Sequence, residues 1–165
     1  MSVLSPPLEP DFMYTLALTL HSWTRWLLVL IAALACVRSV YALVRGLEHS
    51  PADSALARGF AGLLNLQLVL GILLYGLLSP VVRTGLADLS TAMASASLRF
   101  FVIEHQVAAL VAIGIGHWGL HRARKAIDDR QRHRRILWGA GGCLLMIVIA
   151  IPWPILPYGR ALFRF

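Results

Sequence analysis

The chain has 165 residues, of which 58% are hydrophobic and 14% charged, with a mean hydropathy of +0.71. A water-soluble domain carries about a quarter charged residues, so this composition excludes one, along with a disordered chain. Two cysteines exclude a disulfide-stapled secreted module, and what remains is one small integral membrane unit.

Four apolar stretches are long enough to span a bilayer, which takes about 20 helical residues. The first, 14–44, exceeds that length, so its ends protrude or it tilts. It has no basic stretch before it, is too long for a signal-peptide core and offers no small-residue cleavage site, so it is expected to be retained. The second covers 60–78 and stops at Pro80; the third covers 98–120. The fourth covers 136–155, broken at its far end by Pro152, Pro154 and Pro157. No strand-like alternation is present. The expectation is an all-α, single-domain, four-helix transmembrane bundle with residues 81–97 as a polar loop.

The net charge of +7 comes from fourteen arginines and one lysine. Seven of these fifteen lie between Arg122 and Arg135, beside apolar segments. That placement is a topology signal, not a nucleic-acid patch. The first and third connections hold Arg38, Arg45, Arg58 and those seven; the opposite side holds Arg83, Arg99, Arg160 and Arg164. A bias of ten to four predicts both termini outside the cytoplasm.

Ionisable residues within spanning helices are costly and mark functional positions. They are His21 and Arg25 in the first helix and Glu104, His105 and His117 in the third, with Gln67 as a polar group in the second. His21 precedes Arg38 by seventeen residues, and His105 precedes Arg122 by seventeen. Both helices run inward, so at about 1.5 Å per residue both imidazoles lie roughly 25 Å above the inner boundary. Below His105 the same helix face carries Ala108, Ala109, Ala112 and Gly116; below His21 it carries Ser22, Arg25, Ala32 and Cys36. Small side chains admit either close packing or a flat bulky group between helices.

Two imidazoles at one depth above small side chains suit a haem held edge-on with axial ligands His21 and His105. The plain alternative is a pair of packed, hydrogen-bonded helix contacts. Zinc is less favoured, because only Glu104 lies at that level and it points about 100° away. Arg25, one turn deeper on the His21 face, suits a haem propionate or a quinone carbonyl, or else an ion pair with Glu104. Arg99, at the outer boundary, suits a propionate or lipid phosphate. Gln67 suits a quinone or an interhelical hydrogen bond. His117 lies about 120° round from His105, which argues against a second haem on that side. His49, His121 and His133 fall in connections, where solvation is expected. Cys36 and Cys143 fit small packing positions.

The run His21-Ser22-Trp23-Thr24-Arg25-Trp26, the stretch Leu98 to Glu104-His105, and the ending Ile151-Pro152-Trp153-Pro154 resemble a pattern. It is that of a family of small four-helix bacterial membrane proteins labelled cytochrome b-like. The resemblance covers most of the chain. It implies His21 and His105 as ligand positions, with Arg25 and Glu104 in support.

Two functions follow as expectations. One is a b-type haem protein carrying single electrons near the outer face of a bacterial cytoplasmic membrane, exchanging them with quinol or a larger redox complex. The other is a cofactor-free structural subunit of a respiratory or photosynthetic complex, in which the same polar residues fix helix register.

Overall fold

A computed structural model describes residues 10–163. Those residues are mostly helical, with no strand among them, and four helices are long and apolar enough to cross a membrane. This is a multi-pass membrane protein of the all-α class. The bundle's outward surface is apolar, with Val37, Val44, Val69, Ile72, Leu145 and Trp138 exposed. Such a surface is stable against lipid and not against water.

Helix α1 (Pro10–Arg45) runs without interruption and ends at Gly46, whose φ of 65° only glycine adopts without cost. The Leu47 N–H then reaches back to the Ala42 carbonyl at 3.0 Å, closing the helix end. Helix α2 (Pro51–Leu73) starts earlier than residue 60, because Ser50 and Asp53 form a reciprocal capping box and Pro51 fits the first turn. It continues into a wide π-helical turn, Leu74–Leu78, which Ser79 and Pro80 terminate.

The expected loop 81–97 is instead three short helices: α3 (Pro80–Ala87), α4 (Leu89–Ala94) and α5 (Ala96–Arg99). Ser79, Asp88 and Ser95 each cap one of them with a side-chain oxygen. A second π-helical turn, Phe100–Glu104, leads into α6 (His105–Arg124). Helix α7 (Asp129–Ala150) is capped by Asp128. It stops at Ala150 and not near residue 155, because Pro152 holds Ile151 in an extended conformation.

The long helices form an antiparallel up-and-down bundle. α6 packs most closely on α7, α1 touches both α7 and α2, and α2 meets α6 only sparsely. The core between them holds Leu28, Ala32, Phe60, Leu64, Ala112, Ala140 and Cys143. The small stripe foreseen below His105 is buried at Ala108, Ala112 and Gly116. Beyond α7, residues 151–163 fold back over the α1–α6 end. The Arg160 N–H bonds the Pro152 carbonyl at 3.0 Å, and Tyr158 stacks on Phe100 at 3.9 Å. Arg164, counted in the charge bias, lies outside the described residues.

Candidate functional site

His21 and His105 come together. Their ring centres are 6.3 Å apart and their planes cross at 64°. Both rings line a cavity of about 190 Å³ towards the folded-back C-terminal segment and a larger one of about 370 Å³ towards the bundle interior. The two cavities share His21, Arg25, Gly71, Tyr75, His105 and Gln106. They occupy the sparse seam between α2 and α6. Gly71 lies beside His21 on that seam, where an added methyl group would come to 3.8 Å from His21 Cε1, an ordinary contact.

Each imidazole is held by a partner that leaves part of the ring facing the cavity. His105 Nδ1 donates to the Ala150 carbonyl at 2.8 Å. That carbonyl is available because the residue four positions on, Pro154, has no N–H to return to it. The bond places the proton on Nδ1 and leaves Nε2 as an acceptor. His21 is held by Gln67, whose Nε2 donates both to His21 Nε2 and to the His21 carbonyl at 3.2 Å each. Thr24 fixes that amide by donating to Gln67 Oε1 at 2.7 Å. His21 Nδ1 is buried without a hydrogen-bond partner, an uncommon and costly state for a polar atom.

The two π-helical turns face one another at this level, where Tyr75 donates from one to the Val102 carbonyl of the other at 3.2 Å. Such turns widen a helix locally and recur at functional sites. Gln106 bonds across the second turn to the Phe101 carbonyl at 3.2 Å and lines both cavities. Nothing in the hydrophobic pattern marks these wide turns, and Tyr75 and Gln106 carry no signal in the sequence.

Arg25 lines both cavities. It does not pair with Glu104: its Nη2 donates to the Leu162 carbonyl at 2.9 Å, joined there by Trp26 Nε1 at 3.0 Å. Glu104 faces outward and pairs with Arg99 at 2.7 Å, both side chains being two-fifths exposed. Arg99 lines neither cavity, so the expectation that it meets a ligand there is corrected. The second arginine at the site is Arg160, which the folded-back segment carries into the smaller cavity. Gln67 makes the interhelical hydrogen bond, and His117 lines neither cavity.

The smaller cavity is the more polar of the two and the larger is mainly apolar. Arg25, Arg160, Ser22 and Ser79 lie on the smaller cavity; Leu28, Leu64, Leu68, Ala109, Ile113 and Ile147 lie on the larger. A metal bonded to one nitrogen of each ring at about 2 Å sets the ring centres roughly 6 Å apart. The observed separation of 6.3 Å matches that spacing where the two ring nitrogens face one another. Comparison with protein-family models, curated proteins and solved structures finds no match to this chain.

Proposed function

We propose that the chain binds one b-type haem between α1 and α6 and carries single electrons near one face of the membrane. The observation that carries this reading is the pair of imidazoles, 6.3 Å between ring centres, meeting on a cavity that divides into apolar and polar parts. Haem supplies one-electron chemistry at iron when bound. His105 holds it through Nε2, with the Ala150 carbonyl fixing the tautomer and orienting the ring as outer partners of metal-bound histidines do. His21 would be the second ligand, and ligation there requires the Gln67 amide to release the His21 Nε2 lone pair or to turn its oxygen towards the ring.

The apolar cavity excludes water from a macrocycle, and Arg25 and Arg160 supply positive charge for two propionates on the polar side. Positive charge beside the site favours the reduced state and raises the potential. The arginine bias sets this site towards the outer side of a bacterial cytoplasmic membrane. There the protein exchanges electrons with membrane quinol or a larger redox complex and with a carrier outside.

The test is the visible spectrum of protein purified after haem-supplemented expression. A Soret band and a sharp reduced α band are expected, and His105→Ala removes the six-coordinate signature. A folded but colourless wild-type preparation refutes the reading and leaves a cofactor-free structural subunit.

A further inference from the structure

A second cluster of metal-ligating side chains lies at the opposite end of the bundle, away from the paired histidines. The positions of His49 and His133 in polar connections predict solvated rings, and the structure overturns this for His133, whereas His49 is half-buried. His133 is 1% exposed in the first turns of α7, and His49 packs against it with ring centres 5.3 Å apart. Asp53, in the first turn of α2, is buried beside them. One ligand atom from each of the three lies within 4.8 Å of the others. His133 Nε2 and His49 Nδ1 are both buried and have no hydrogen-bond partner. Two orphaned imidazole nitrogens in one small space call for a shared partner.

We propose that His49, Asp53 and His133 form a site for a divalent transition-metal ion of the zinc class, tying the first connection and α2 to the start of α7. The donor set of two imidazoles and one carboxylate is one that zinc takes, with a fourth position for water. Asp53 has capacity left. Its Oδ2 is occupied by Arg38 Nη2 and by the Ser50 amide and hydroxyl, but Oδ1 accepts only from Arg38 Nε, at 2.7 Å. A carboxylate oxygen has a second lone pair to offer.

Arg38 also decides which metal the site takes. Its guanidinium balances the carboxylate, so the pocket has no net negative charge to attract calcium or magnesium. Recognition then rests on imidazole nitrogen, which favours zinc, copper and nickel over the hard cations. A void of about 10 Å³ touches Arg38, Asp53 and His133 but not His49, so an ion shared by all three would sit between the void and the His49 ring. An open groove lined by His49, Ser54, Arg58 and Arg132 brings the surface to His49, though it does not reach Asp53 or His133.

Chelator-stripped full-length protein in detergent is titrated with zinc sulfate by calorimetry, and with Co²⁺ by visible absorption. One equivalent of zinc, a cobalt ligand-field band and a higher unfolding temperature with zinc are expected. His49→Ala, in the surface connection, weakens zinc binding at least about a hundredfold and abolishes the thermal shift, with helical circular dichroism retained. His133→Gln does the same; should that buried variant misfold, His49→Ala decides alone. No zinc binding at tens of micromolar, or binding unchanged in His49→Ala, overturns the proposal.

Discussion

The α6–α7 seam is the tightest contact in the bundle, and one methyl group tests it. A Cβ built on Gly139 falls 2.7 Å from Gly119 Cα, about 0.7 Å short of the 3.4 Å at which ordinary contact begins. Backbone lies on both sides, so neither atom can swing aside. In Gly139→Ala the helices must part by roughly that distance. Gaps of about 0.5–1 Å forfeit a quarter to a half of each dispersion contact across them, here among Leu120, Ala123, Ile136, Ala140 and Cys143. Overpacking of this kind costs about 1–3 kcal/mol, and rigid backbone on both sides puts the cost near 3. The helix preference of Ala over Gly returns about 1 kcal/mol, leaving a net loss of about 2 kcal/mol. Gly114→Ala is the matched control, because its added methyl meets nothing within 4 Å and gains the helix preference alone. The two variants should therefore differ by about 3 kcal/mol in SDS-induced unfolding followed by circular dichroism. Equal stabilities within about 0.5 kcal/mol would refute the close crossing.

Other perturbations probe the two ends of the bundle. Gly71→Phe fills the seam beside His21 and should lower haem affinity by about 2 kcal/mol, roughly thirtyfold; Gly71→Ala makes ordinary contact and keeps the pigment. Haem titration of both variants checks this, and equal affinities would mean that the seam is not the binding cavity. Arg38→Ala leaves the Asp53 carboxylate, 4% exposed, with only its Ser50 bonds. Breaking a buried pair is costly, and with Arg38 partly exposed a smaller but measurable loss of stability is expected. The same unfolding assay measures it, and a loss below about 0.5 kcal/mol would show the pair to be worth no more than a surface contact.

Much of the site's composition is legible in the sequence. His21 and His105 each stand seventeen residues from the first arginine of a basic connection, and a constant rise per residue turns that count into a shared depth. The structure places the two rings together. The small stripe at Ala108, Ala112 and Gly116 followed from helical periodicity and is buried. Gln67 appeared as a lone amide in an apolar segment; only packing made it the clamp on His21.

Hydrophobic length and helix rise determined by themselves that this is a four-helix membrane protein with two histidines at one level, because both are local properties of the chain. Which partners those histidines have, which arginine attends them and where the other histidines go depended on tertiary structure. Two π-helical turns, which no hydrophobic periodicity marks, widen the helices at the level of the paired histidines. The proline-broken C-terminus folds back to bring in Arg160, a contact between residues far apart in sequence. His133 looked solvated within its basic run, yet α7 begins early enough, at the Asp128 cap, to bury it against His49 and Asp53. Burial belongs to the assembled bundle, and composition averaged over a connection does not report the one side chain that turns inward.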